Sequence, residues 1–229
     1  MSHTFLGNLL HLADPTLPIG GYSHSNGLET YVQNGLVRDK ASARLFVENT
    51  LHYNLKFNDA LFMRLAWEAT ERNDLETLVN LDQECTALKS PREIREASQK
   101  LGIRLIKIFS RVNQTSFVKS LEDAISSGEM DGHYCIVFGL YAQTLDIPLK
   151  EALFAFYYNA AVGMITNAVK LIPLGQLDGQ DLLFDIRFQL DELTHETLLL
   201  GEIERGQCSP AFDIRCMQHE RLYSRLYMS

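Results

Sequence analysis

Positive charge is missing from the start of the chain: the first 37 residues hold no lysine or arginine, and their only acids are Asp14 and Glu29. Two ordinary surface helices are thereby excluded there, because a helix face turned to water normally carries charge. Basic residues are also the minority overall, 21 against 29 acids, for a net charge of -8. Such a chain has no general attraction for DNA, RNA or anionic lipid. Cysteine is scarce and scattered, at Cys85, Cys135, Cys208 and Cys216, with no CxxC pair. These read as free thiols of a reducing compartment, and the expected location is the cytoplasm. The N-terminus lacks the basic segment and the small-residue cleavage site of a signal peptide. No apolar run reaches the roughly 20 residues of a bilayer span. The nearest, residues 152–169, is uncharged but interrupted by Asn159, Thr166 and Asn167, and reads as a buried central helix.

Catalytic signatures are absent too. There is no GxxxxGK phosphate loop and no dinucleotide fingerprint, and Gly20-Gly21 precedes no lysine. His195-Glu196 has no second histidine to complete HExxH, and no GxSxG occurs. Ser23-His24-Ser25 invites a nucleophile reading, but adjacent side chains diverge in helix and strand alike. The expected role of these serines is to hold a turn by bonding to backbone. Cys216 and His219 lie one helical turn apart, which suits two metal ligands, but Cys208 stands beyond Pro210 and no fourth ligand is evident. His133 and Cys135, two apart, do not share a helix face. No catalytic residue, resident metal or cofactor is therefore expected.

What is present is helical periodicity. Phe5, Leu6, Leu9, Leu10 and Leu12 mark a short helix stopped by Pro15 and Pro18. LPIGGYSHSNGLE follows, where Gly20 or Gly21 is expected at positive φ and Asn26 with Glu29 has capping-box spacing. From Asp39 to about Arg72 the pattern is helical, with Leu45, Asn49, Tyr53 and Phe57 four apart and a break expected between Lys56 and Asp59. Asp74 caps the next helix, and Ser90-Pro91-Arg92-Glu93 predicts another, with Ser90 as cap and Glu93 completing its box. Further stripes run through Phe117 to Ile125 and Tyr134 to Leu145, then through the uncharged helix opened by Asp146 and Pro148, then from Leu182 to Leu200. No segment alternates with period two between hairpin turns. The fold class is all-α: an irregular bundle of roughly eight to ten helices with a flexible C-terminal tail. Residues 1–208 read as a single all-helical domain and 209–229 as a partner-binding tail.

That tail repeats at four: Arg221 and Arg225, Leu222 and Leu226, Tyr223 and Tyr227. As a helix it would set an arginine stripe beside a leucine–tyrosine stripe. Arginine and tyrosine are enriched where interfaces carry their energy. Chain ends are often loose until a partner orders them; the alternative is that the stripe folds back on its own core.

LADPTLPIGGYSHSNGLE (12–29), PREIREASQKLGIRLIK (91–107), GHYCIVFGLYA (132–142), YNAAVGMITNAVKLIPLGQLDGQ (158–180) and SPAFDIRCMQHERLYSRLYMS (209–229) together resemble the UreF-type urease accessory proteins. The resemblance implies an all-helical, dimerising, non-enzymatic adaptor that helps to insert nickel into apo-urease. It would bind a UreD/UreH-type accessory protein, and that complex would recruit a UreG-type GTPase. It also implies protein-binding roles for Pro18, Gly20, Gly21, Tyr22, His24 and Glu29, for Asn167, Lys170 and Gln176, and for His219, Glu220, Arg221, Tyr223, Ser224, Arg225 and Leu226. Departures from the family's pattern are His11 for Gln, and tyrosine for Phe at Tyr22 and Tyr227. Two other readings stay open. One is direct activation of the GTPase by an arginine, with Arg221, Arg225, Arg104 and Arg95 as candidates. The other is a small helical enzyme with an unrecognised site.

Overall fold

A computed structural model describes residues 4–229. It is all-α, with no strand among those residues. The helices are α1 (Thr4–Leu12), α2 (Leu28–Gln33), α3 (Lys40–Thr50), α4 (Leu61–Glu71), α5 (Leu75–Leu88), α6 (Arg92–Phe109), α7 (Ser116–Ser126), α8 (Tyr134–Thr144), α9 (Leu149–Leu171), α10 (Gln176–Leu199) and α11 (Pro210–His219).

The break expected near Lys56–Asp59 does not occur. A π-helical stretch, Leu51–Ala60, joins α3 to α4 in one continuous rod. Its i→i+5 bonding shifts the register of the faces. The buried face of α3 is Ala43, Phe46, Val47 and Thr50, while Leu45 and Tyr53 of the four-spaced row are exposed. The stretch also receives the chain that leads into the tail: Gly206 N–H donates to the Phe57 carbonyl, and the Ser209 hydroxyl donates to the Tyr53 carbonyl at 2.7 Å.

Three other helix starts differ from expectation. Asp74 caps α5 as read, accepting from Thr77 N–H. The cap of α6 is Pro91, not Ser90, with no side-chain cap bond. Asp146 takes a left-handed backbone (φ 58°) and does not cap α9, whose cap is Pro148. The start of α10, expected around Gly179 to Asp181, comes earlier, at Gln176, because Asp178 reaches back to accept from Gly175 N–H.

The core centres on α4, α8 and α9. On α8, Cys135 through Ala142 are all buried. Gly139 lets α8 approach α4 backbone to backbone: an added Cβ would run into the Met63 carbonyl and lie 3.0 Å from the Ala66 side chain. As expected of an uncharged helix, α9 sits within the bundle, burying Ala152, Ala155, Phe156, Tyr157, Ala161, Met164, Ile165 and Ala168. Its length and hydropathy alone would suit a membrane span, but more than half of its most apolar stretch is buried inside the fold. Its polar residues are used inside the fold: Asn159 donates to the Ala13 carbonyl and Asn167 to the His24 carbonyl.

Candidate protein-docking site

The two segments richest in predicted site residues, 18–29 and 209–229, meet at one place. Gly20 has φ 88°, as the strained turn requires, while Gly21 does not need it. Arg104 packs onto this turn, donating to the Ile19 carbonyl at 2.8 Å, and a Cβ on Gly20 would collide with its guanidinium. Ser23 donates back to the Gly20 carbonyl, so it holds the turn. Ser25 donates to the Ser229 carbonyl, and His24 Nδ1 shares a proton with the Ser229 hydroxyl at 2.8 Å. Backbone bonds from Met228 N–H to the Ser23 carbonyl and from Ser25 N–H to the Ser229 carbonyl complete the join. Burial, then the nearby Lys100 and Arg104, pushes the His24 pKa below the usual histidine value.

Glu29 does not complete a capping box with Asn26. The cap of α2 is Gly27, and no side chain bonds it. Instead the Glu29 carboxylate is buried and turned to the tail, where it accepts from Leu226 N–H (2.7 Å), from Tyr227 N–H (3.1 Å) and from His219 Nε2 (3.2 Å). Glu93 has the same fate. It accepts from His219 Nδ1 at 2.6 Å and from Arg225 at 2.7 Å. The buried His219 ring thus lies between two carboxylates, with one ring nitrogen facing each. Arg92–Glu220 (2.7 Å) and a bond from Gln33 to the Ser224 carbonyl close the edges. Each ring nitrogen of His219 faces a carboxylate, and the Cys216 thiol is buried against Gly27, so the two side chains are not turned to one shared site.

The tail is therefore packed on the body, and the expected helical stripe is not formed. The chain leaves α11 at His219 and turns, with Arg221 N–H bonded to the Gln218 carbonyl and Leu222 N–H to that of His219. Charge-assisted bonds to Glu29 and Glu93 outweigh continued helix, because the buried Glu29 and the largely buried Glu93 would otherwise lose their partners. The repeat is split in consequence. Tyr227 is buried, Leu222 is half-buried, and Tyr223 and Leu226 project to solvent at 106% and 67% exposure. The Tyr227 hydroxyl is buried without a hydrogen-bond partner.

Across the predicted set, His24, Glu29, Asn167, His219, Glu220 and Arg225 form the latch, with Gly20 at its turn and Ser224 at its edge. Pro18, Gly21, Tyr22, Arg221, Tyr223 and Leu226 are exposed on the same two segments. Lys170 and Gln176 are exposed at the end of α9 and the start of α10, and no hydrogen bond among the described residues ties them to the latch. Sequence reasoning missed Glu93, Arg92, Gln33 and Ser229. Glu93 carried a signal that was spent on capping. Of the candidate arginines, Arg95 donates to the Lys89 carbonyl, Arg104 to Ile19 and Arg225 to Glu93, while the Arg221 side chain makes no hydrogen bond among the described residues.

The sequence model of the UreF family matches residues 37–187. The chain is also 50% identical over 224 residues to the urease accessory protein UreF of Actinobacillus pleuropneumoniae serotype 5b, covering 98% of this chain and 99% of the relative. It belongs to the UreF family of urease accessory proteins. The UreF of Haemophilus influenzae strain PittEE is 48% identical over 228 residues, covering 100% of this chain and 97% of the relative. That of Lachnoclostridium phytofermentans is 35% identical over 222 residues, covering 97% of each chain. The role of this UreF-family chain is that of an accessory protein in urease maturation. The two segments that the latch joins, 18–29 and 209–229, lie on either side of the family-model match, while Glu93 and Asn167 fall inside it.

Proposed function

We propose that this protein is an adaptor in nickel insertion into apo-urease, bridging a UreD/UreH-type accessory protein and a UreG-type GTPase, with the latch as its docking site for the former. The observation that carries this is the exposure of Tyr22, Tyr223 and Leu226 on two segments pinned together by buried ionic bonds. Large apolar side chains held out on a fixed backbone lose little entropy on docking, and tyrosine is a frequent hot spot. Cytoplasmic location and a homodimer are part of the proposal. Leu6 and Leu10 of α1, exposed within the segment that lacks basic residues, support the dimer. Lys170 and Gln176, on a separate exposed corner, are assigned to the GTPase side. The reading in which the protein itself supplies a catalytic arginine now rests on Arg221.

A pulldown with the UreD/UreH-type protein tests the assignment. Tyr223→Ala with Leu226→Ala should abolish capture while the melting temperature of the free protein stays unchanged. Full capture by that double variant would remove the latch from the interface. Arg221→Ala that binds normally but leaves hydrolysis slow in the assembled complex would instead favour the catalytic-arginine reading.

A further inference from the structure

Away from the latch, the fold buries a group of chemically reactive side chains that the docking role does not use. Cys85 on α5 and Cys135 in the first turn of α8 are 1% and 0% exposed, and their sulfurs lie 3.8 Å apart. They are 50 residues apart in sequence, so only the fold makes them neighbours. Lys89, one turn after Cys85, is buried with its ammonium 2.8 Å from Asp59. His133 is fully buried, bonded through Nδ1 to the Ser98 hydroxyl and through Nε2 to that of Thr86. Two thiols beside a buried cation are not what simple packing calls for, since burying an ammonium carries a desolvation cost that needs anionic partners.

We propose that Cys85 and Cys135 form an oxidisable dithiol that peroxides convert to an internal disulfide joining α5 to α8. Cys85 is the attacking sulfur. The Cys135 thiol donating to it, then the Lys89 ammonium and the His133 ring, hold its pKa below the usual thiol value against the opposing effect of burial. Cys135 is pushed up correspondingly, as the group that keeps the shared proton. A thiolate is the nucleophile in such chemistry, and a neighbouring cation raises its population. A cavity of about 500 Å³ approaches the group: its wall includes Leu88, Lys89, Ser98 and Tyr134, and the two sulfurs lie behind that wall. Lys89 and Ser98 each bond to a member of the group, through the Cys85 carbonyl and the His133 ring.

The steps balance. The Cys85 thiolate attacks one peroxide oxygen, the O–O bond breaks, and hydroxide leaves to be protonated to water, giving a sulfenic acid. The Cys135 sulfur then attacks the Cys85 sulfur, the S–O bond breaks, the S–S bond forms, and a second water leaves with the Cys135 proton. In sum, two thiols and one hydrogen peroxide give one disulfide and two waters.

The test uses the full chain carrying Cys208→Ser, which removes the exposed thiol and with it intermolecular products. The reduced protein is treated with hydrogen peroxide, quenched, unfolded and alkylated with N-ethylmaleimide, and its tryptic peptides are weighed. The expected result is that Cys216 alone takes the label, and that the Cys85 and Cys135 peptides appear as one species lighter by two hydrogens. Full labelling of Cys85 and Cys135 after a dose that oxidises Cys208 in the unsubstituted chain would overturn the proposal. Adding Cys135→Ser removes the resolving sulfur and keeps a hydroxyl that can donate to Cys85. A variant that still melts cooperatively should then give a dimedone adduct at Cys85, and an unreactive Cys85 in that folded variant would overturn its role as the attacking thiol.

Discussion

The α4–α8 contact and the latch are both closely fitted, yet different physics holds each. Between α4 and α8 the contact is apolar and continuous. Phe62, Met63, Ile136, Phe138 and Leu140 are all fully buried, and the helices touch backbone to backbone at Gly139. Such packing gains from every atom removed from water and gives no single point of release. The latch is polar at its centre. Two carboxylates, one imidazole and one guanidinium bind the chain end, with exposed apolar side chains above them. A polar join of this kind is held at a few positions, so a partner that supplies competing groups can act on it. On the proposed function the body carries stability alone, while the latch carries part of the stability and the docking surface, and the substitutions below separate the two.

The largest effect is expected in the body. Phe138→Ala should cost about 3–5 kcal/mol of stability, read as a fall in the urea midpoint, with partner affinity unchanged for the folded fraction. Glu29→Ala comes next. It frees His219 Nε2 and the two amides at Leu226 and Tyr227, and should cost about 2 kcal/mol, because bonds to a charged acceptor are the strong ones. In a chain of this length that is a drop of roughly 4–8 °C in melting temperature. Removing residues 210–229 should likewise lower the melting temperature, since Cys216, His219 and Tyr227 are buried and Glu29 and Glu93 would lose their partners. A truncated chain that melts like the full one would mean that the tail is not latched in the free protein.

Tyr223→Ala reverses the pattern. Its ring touches little of its own chain, so stability should change by less than about 0.5 kcal/mol, while affinity for the UreD/UreH-type protein should fall about 30-fold, as for a 2 kcal/mol hot spot. The smallest effect concerns pH. The folded-state pKa of His24 is lowered, so the unfolded chain binds the proton more readily there. The stabilisation is complete above the unfolded value, roughly 6.5, and is lost as pH falls through the folded value. His24→Asn, which keeps a partner for the Ser229 hydroxyl but cannot be protonated, should melt with a shallower pH dependence between pH 7 and 5 than the unsubstituted chain. Identical slopes would show that His24 binds its proton equally in the folded and unfolded states.

Most of the helices were legible because their signals are local. Asp74 caps where it should, α7 ends at its Ser-Gly turn, and the lack of charge in residues 152–169 identified the central helix. What was not legible depends on contacts distant in sequence. Glu29 and Glu93 both have capping-box spacing, but a tail about 130 to 200 residues away outbids the local helix ends for their carboxylates. The four-residue repeat of the tail suggested a helix for the same local reason, and the same long-range ionic bonds prevent one. The π stretch escaped notice because widening by one residue changes no composition. The Cys85–Cys135 contact is likewise made by the packing of α5 on α8, and the spacing of the cysteines carries no trace of it.

Amide hydrogen exchange, measured on the free protein and on the proposed complex with a UreD/UreH-type partner, bears most directly on the division between body and latch. In the free protein the amides of Leu226 and Tyr227 should already be protected by Glu29. On binding, added protection should concentrate in residues 18–29 and 209–229 and leave α4 and α8 unchanged. Tail amides that exchange freely in the unbound protein, or added protection confined to another surface such as the exposed Phe184–Arg187–Phe188 face of α10, would contradict the account.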